Sequence, residues 1–240
     1  MTPATASPSA PGPVGRRIHG RTLAERRALR REAMLDAGLD LFGSRGYAGT
    51  TVDAVCRLAS VSTRNFYEEF GNRLDLLAAV GERIAAQAFT AWTTGSAVPP
   101  SGPRRPVAAV RSRVSALVHV LVDDPRVARI AFVESLALEA EGVQRRRELM
   151  RIFPEWIATY LAGHLEALGY SERRRRALAR AAFGAGVELV STWVIDGRTG
   201  EAPRERGTVE DLVDDVVEAT AGILRLTGPA GASTGGAGGH

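Results

Sequence analysis

Lysine is absent from this 240-residue chain: all 31 basic residues are arginine. That bias carries no function by itself. Cysteine is nearly absent, and the single thiol of Cys56 excludes an intramolecular disulfide and suits a reducing, cytoplasmic setting. Four histidines, His19, His119, His164 and His240, stand far apart without metal-ligand spacing. No run of 18 uncharged apolar residues occurs, so a membrane span is not expected. The first twenty residues lack the apolar stretch of a signal peptide. No phosphate loop is legible, and Gly184-Ala185-Gly186 lacks the third glycine and the preceding strand of a dinucleotide site. No nucleophile–base or metal pattern appears. The sequence therefore predicts no catalytic residue, no metal and no cofactor. Period-two alternation is missing throughout, which argues against a sheet.

What is present is helical periodicity over a 45% hydrophobic chain, enough for a sizeable core. The formal net charge of +4 is unevenly spread. Residues 1–31 hold seven arginines (Arg16, Arg17, Arg21, Arg26, Arg27, Arg30 and Arg31) against Glu25 alone, a local +6. Such an arm suits a polyanionic partner, or simply a solvated tail. Residues 1–22 read as a disordered leader and residues 228–240, GPAGASTGGAGGH, as a disordered glycine-rich tail.

Between them an all-α chain of about nine helices is expected. The first runs from about Ala24 to Arg45, with Met34, Leu35, Leu39, Leu41 and Phe42 forming an apolar stripe and Gly46 ending it. Thr50 and Asp53 predict a capping box opening the second, which stops near Ala59. Ser62 caps a third helix through Phe70, and a fourth spans about 72–92. Further helices are expected at 104–122, 125–139, 143–168, 171–196 and 208–225, the last opened by the Thr208/Asp211 box. A Pro/Gly-rich loop at 93–106 separates the halves.

TTVDAVCRLA and STRNFYEEF, joined through Ser60 and Val61, have the pattern of a helix-turn-helix, whose second helix enters the major groove. Arg64 and Asn65 are side chains able to read guanine and adenine edges. The segment Arg31–Val80 resembles the DNA-binding domain of the TetR/AcrR family of transcriptional regulators. The match runs through Leu41-Phe42, Gly46-Tyr47, Thr50-Thr51-Val52, Val61-Ser62, Phe66-Tyr67, Phe70 and Arg73–Leu77.

The resemblance implies that residues 23–71 form a helix-turn-helix domain and 72–227 a helical effector-binding and dimerisation domain. It implies base reading by Thr63, Arg64 and Asn65, and phosphate contacts from Thr50, Thr51, Ser62, Tyr67 and Arg73. It implies a ligand-responsive regulator, usually a repressor, that binds a near-palindromic double-stranded operator as a homodimer and is released by a small-molecule effector. The departures are Ser60, where the family has a turn glycine and positive φ would cost serine, Cys56 in place of alanine, and Glu68 and Glu69 beside the reader. Cys56, a small buried hydrophobe, should pack in alanine's place, whereas Ser60, Glu68 and Glu69 favour, as the alternative, a helical protein-interaction module without sequence-specific DNA binding.

Large and polar side chains in the second half suggest a pocket for a lipophilic effector: Phe89, Trp92, His119, Phe132, Glu134, Trp156, Tyr160 and His164. A buried Glu134 would favour a cationic one. Small residues around Phe183 and Gly184, with Val187, Val190, Trp193 and Val194, are expected to meet Leu212, Val216, Val217 and Ile223 in a four-helix dimer interface. The arginine runs Arg145–Arg147 and Arg173–Arg176 spread around helices as a solvated face.

Overall fold

The structure, a computed structural model, describes residues 22–95, 105–134, 143–144, 147–148, 150–199 and 207–224. The expected leader (apart from Thr22), the tail and most of the 93–106 loop lie outside these. Among the described residues there are ten α-helices and no strand. They are α1 (Leu23–Arg45), α2 (Val52–Leu58), α3 (Thr63–Glu69), α4 (Arg73–Thr94), α5 (Arg105–Val122), α6 (Pro125–Arg129), α7 (Ile152–Tyr160), α8 (Ala162–Ala167), α9 (Glu172–Thr199) and α10 (Val209–Leu224). Two expectations change. The helix beginning at Pro125 widens after Arg129 into a π-helical turn, Ile130–Glu134. The stretch expected as one helix to residue 168 breaks at Leu161, giving α7 and α8.

Helix α1 opens on a reciprocal cap that went unnoticed in the sequence. Thr22 Oγ1 accepts from the Glu25 N–H at 3.2 Å, and Glu25 returns a bond to the Thr22 N–H at 2.7 Å. Its inward face supplies Met34, Leu35 and Phe42, which close around Val55, Phe66, Leu76 and Val80 from the next three helices, all 0–2% exposed. Burying Phe66 alone contributes about 1.5–3 kcal/mol. This core belongs to the amino-terminal unit; a second joins α4, α5, α8, α9 and α10 around Val110, Leu165, Val213 and Leu224.

The turn between α2 and α3 is a Schellman motif. Val61 N–H bonds the Cys56 carbonyl at 2.9 Å and Ser60 N–H that of Arg57 at 3.3 Å. The left-handed residue between them is Ser60, φ 54°, as the missing glycine led us to expect. Val61 packs against the amino-terminal core, and burial raises the pKa of the Cys56 thiol beside it. At the far end of the chain the expected box is present: Asp211 N–H donates to Thr208 Oγ1 at 3.1 Å, and Thr208 N–H to Asp211 Oδ2 at 2.7 Å.

Ser60→Gly should raise stability by about 1 kcal/mol, because a left-handed conformation costs a β-carbon about 1–2 kcal/mol and glycine returns part of that in chain entropy. Urea denaturation of the two proteins checks it; a less stable glycine variant would mean that the serine hydroxyl supports the turn.

Candidate nucleic-acid interface and effector cavity

Helix α3 is held from below and open above. Phe66 and Phe70, 0% and 5% exposed, seat it in the core, which leaves Thr63, Arg64 and Tyr67 exposed and Asn65 half-buried on its outer side. Tyr67 stands 57% exposed with its ring edge against Phe66 at 5.4 Å. Ser62 caps the helix, its Oγ accepting from Asn65 N–H at 3.1 Å, and Thr51 caps α2 by accepting from Ala54 N–H at 3.1 Å. Each hydroxyl keeps its own hydrogen to donate, which a phosphate oxygen can accept. The structure thus gathers Thr51, Ser62, Thr63, Arg64, Asn65 and Tyr67 on two adjoining short helices.

Two expected phosphate ligands make hydrogen bonds within the chain. Thr50 is not the cap of α2: it is 0% exposed and its hydroxyl donates to the Gly46 carbonyl at 2.8 Å. Burial removes it from any phosphate. The Arg73 guanidinium turns inward, donating to the carbonyls of Thr50 and Tyr47, the latter at 3.1 Å, and lying over the Tyr47 ring at 4.8 Å. It fastens the loop before α2 to the start of α4.

The acidic pair at the end of α3 is neutralised within the chain. Glu69, its side chain 7% exposed, is held by Arg27 of α1, with Nη2 at 3.3 Å from Oε2. Glu68 accepts from Arg64 Nε at 2.9 Å across one helical turn. That pair is exposed and worth about 0.3–0.5 kcal/mol, so Arg64 can leave it for a base.

Behind this surface a cavity of about 640 Å³ opens between α4, α5, the π turn, α7, α9 and α10. Of the eight expected pocket residues, Trp92 and Phe132 line it. Phe153 and Phe183, which stack at 5.4 Å, also form its wall, although Phe153 was missed and Phe183 had been assigned to the dimer. Trp156 and Phe89 stand behind them, packed together at 4.3 Å and outside the lining. Tyr160 stacks on Arg113 at 4.0 Å instead, and His164 does not reach the cavity. His119 faces the other way: its Nδ1 meets Asp123 at 2.9 Å and Nε2 lies 3.5 Å from Glu210, contacts that raise its pKa, Asp123 most.

Glu134 is buried, as a cationic effector would need, but it does not line the cavity. One carboxylate oxygen accepts from Arg129 Nε at 2.7 Å and the other from Tyr47 N–H at 2.8 Å, while Arg129 Nη1 donates to the Ser44 carbonyl at 2.7 Å. The π turn thereby grips the end of α1. Gly46, φ 78°, makes room: a β-carbon there would stand 2.5 Å from Arg129 Nη2 and 2.9 Å from Glu134 Oε1. One turn earlier Gly43 lets α6 approach, since a β-carbon would lie 2.8 Å from the Arg126 Cα. Arg126 itself pairs with Asp124 at 2.7 Å and with Asp40 of α1. The cavity wall contains Ile130, Ala131 and Phe132, so wall and clamp share one turn of chain. Only the two glycines hinted at this in the sequence.

The expected dimer face needs redrawing. Val190, Val194, Leu212, Val216 and Val217 are buried inside the single chain, Phe183 and Val187 line the cavity, and Trp193 and Ile223 are half-buried against the core. Gly184 is the one expected residue that is exposed. Ala177, Ala181, Gly184, Glu188, Thr192 and Ile195 follow at three- and four-residue spacing, all exposed, and form a continuous outer stripe on α9. An 18-residue window of this helix has a mean hydropathy of 1.3, yet only 22% of it is buried. By length and composition the helix could cross a membrane, although Arg180 and Glu188 interrupt it.

Residues 34–80 match the family model for bacterial regulatory proteins of the tetR family. Compared with curated proteins by sequence, the chain has no match. Among solved structures it is similar to the fatty acid degradation regulator FadR from Bacillus halodurans, at 17% identity, TM-score 0.63, covering 81% of this chain and 94% of that one. FadR from Bacillus subtilis in complex with stearoyl-CoA gives 18%, 0.57, 81% and 96%. A TetR-like transcriptional regulator from a Rhodococcus species gives 20%, 0.56, 82% and 96%. At such identities the solved structures establish the fold.

Removing the carboxylate of Glu134 by Glu134→Ala leaves a mostly buried Arg129 and the Tyr47 N–H without their acceptor. The variant should lose about 2–3 kcal/mol in chemical denaturation. A loss below about 0.5 kcal/mol, the range of ordinary surface changes, would show the clamp to be ornamental.

Proposed function

We propose that this chain, whose amino-terminal domain is that of the TetR family, is a transcriptional regulator that binds a near-palindromic operator as a homodimer and leaves it when an apolar small molecule enters the cavity. The observation that carries the reading is the outer side of α3: Thr63, Arg64, Asn65 and Tyr67 presented above a buried Phe66 and Phe70, with capping hydroxyls on either side. Thr63, Arg64 and Asn65 read bases, with arginine forked onto guanine and asparagine onto adenine. Thr51, Ser62 and Tyr67 hold phosphates and set the register.

A single reader helix covers one half-site, and two such helices about 34–36 Å apart cover an operator. The second copy docks on the outer stripe of α9, where Ala177, Ala181 and Gly184 permit close helix approach. The apolar cavity supports an effector of low polarity, and the like-folded Bacillus subtilis FadR holds stearoyl-CoA. An occupant pressing on Ile130–Phe132 shifts the Arg129–Glu134 clamp, hence the end of α1 and the spacing of the readers. That differential fit between two spacings is what makes release allosteric. Repression follows from blocking DNA that the effector then frees.

Fluorescence anisotropy on DNA from upstream of the protein's own gene tests this. Binding should weaken by about 10³-fold or more between about 50 and 200 mM salt; no binding at low salt would sink the regulator in favour of a protein-interaction module. In a selection-based site profile, Arg64→Ala should lose about 1–3 kcal/mol of preference at one base position, whereas Tyr67→Phe should weaken every site alike. Gly184→Trp should leave the helical circular dichroism intact and shift sedimentation toward monomer. A dimer that survives the tryptophan places the interface elsewhere.

A further inference from the structure

Threonine hydroxyls inside helices ordinarily turn back to the carbonyl four residues earlier. Thr90, Thr93 and Thr94 of α4 all do so, at 3.0, 3.0 and 2.7 Å. Thr220 of α10 does not. It is 7% exposed, it lines the cavity beside Val216, and its hydroxyl has no hydrogen-bond partner among the described residues. The side chain is buried as a whole, yet the hydroxyl is not among the fully enclosed unpartnered atoms, so it stands open to whatever fills the cavity. Besides Thr220, the indole N–H of Trp92 is the one uncharged side-chain donor among the described lining residues. The charged groups of the described wall are two carboxylates, Glu82 and Glu148, both exposed. No described lining residue is cationic, so nothing in that wall would neutralise an anion carried inward.

We propose that the cavity selects an apolar molecule bearing one uncharged hydrogen-bonding group, a hydroxyl or carbonyl oxygen, and that Thr220 is the residue that recognises it. The claim rests on the cavity being the effector site, and it narrows the class of effector from apolar compounds in general to neutral amphiphiles. A hydrocarbon leaves Thr220 unsatisfied, and a carboxylate must shed its water with no cation to receive it. A neutral oxygen both fills the volume and completes the hydroxyl.

The test uses the whole chain, wild type and Thr220→Val, a change of nearly equal shape. Displacement of the uncharged dye N-phenyl-1-naphthylamine is followed with 1-octanol, octane and octanoate as competitors. Octanol affinity should fall about five- to tenfold in the valine variant, the worth of one hydrogen bond. Octane affinity should stay within about twofold, and octanoate should compete least with the wild type. Octanol binding that is unchanged by the substitution, or lost in parallel with octane, overturns the proposal, as does failure of every probe to compete. The ligand-free protein gives an independent readout: Thr220→Val should melt at the same or a higher temperature, because no bond is lost. A clear fall in melting temperature would assign the hydroxyl a structural partner and end the inference. Operator binding is measured separately, so a protein that recognises octanol through Thr220 but ignores DNA would sink the regulatory reading alone.

Discussion

The Glu134 carboxylate is the joint between the two halves of the molecule. Its oxygens are divided between a guanidinium on its own turn and a backbone N–H at the end of α1. Neither partner is replaceable by water at that burial without cost, since Glu134 is 8% exposed and the Arg129 side chain only 19%. Because Arg129 also bonds the Ser44 carbonyl, the joint satisfies one donor and one acceptor left over where α1 stops. The arrangement requires a residue without a β-carbon at position 46, and Gly46 adopts the positive φ that follows. From there the chain passes through Tyr47 and Thr50, whose carbonyls hold Arg73, into the cap of α2. The π turn is thereby tied, through these hydrogen bonds and the chain between them, to the start of α2. Such π turns insert an extra residue into the helical ladder and are often found at functional sites.

Charge on the reader is arranged to be available without being loose. Two glutamates beside a DNA-facing arginine look unfavourable in the sequence, and they are the strongest argument for a protein that no longer binds DNA. The fold resolves them differently. Glu69 is withdrawn to α1, where Arg27 meets it, so its charge braces α3 against the first helix. Glu68 remains outside with Arg64, in a pair whose side chains are 49% and 87% exposed. An exposed pair of that kind is worth a few tenths of a kcal/mol and is screened by salt. A bidentate guanine contact is worth about 1–3 kcal/mol, so the pair with Glu68 is no bar to the proposed base reading by Arg64.

Helix positions were legible because they rest on local chemistry: the apolar stripe of α1, the Thr208/Asp211 box and the glycine at position 46 act within a few residues. The Ser60 strain was legible for the same reason, since the turn dictates φ whatever occupies it. What failed were assignments depending on direction in space. Thr50 and Thr51 are adjacent hydroxyls with equal claims as caps, and only the inward turn of the first toward Gly46 separates them. Arg73, which the resemblance puts at a phosphate, turns one guanidinium nitrogen to two carbonyls while staying partly exposed. Glu134 and His119 were grouped with the pocket for being polar among apolar neighbours, yet each is drawn off by an opposite charge. The dimer residues failed for a related reason: an apolar helix flanked on several sides does not say which side a partner takes. With the inner side filled by α10, the small residues at 177, 181 and 184 support the outer side as the face proposed for a partner.

Several features of this chain cost stability, and they are not scattered. Ser60 holds a left-handed conformation at the entrance to the reader, the π turn departs from regular hydrogen bonding beside the cavity, and Thr220 keeps a hydroxyl in an apolar space. The cavity forgoes the dispersion contacts that a filled core would have. Each cost would be relieved by an ordinary substitution or by one more methyl group, and each lies beside the cavity or at the turn between α2 and α3. Strain concentrated there, in a molecule whose other helices are capped and packed in regular fashion, supports the proposed regulator, which needs two working arrangements. A fully satisfied interior would hold a single arrangement too firmly for an apolar molecule to shift it.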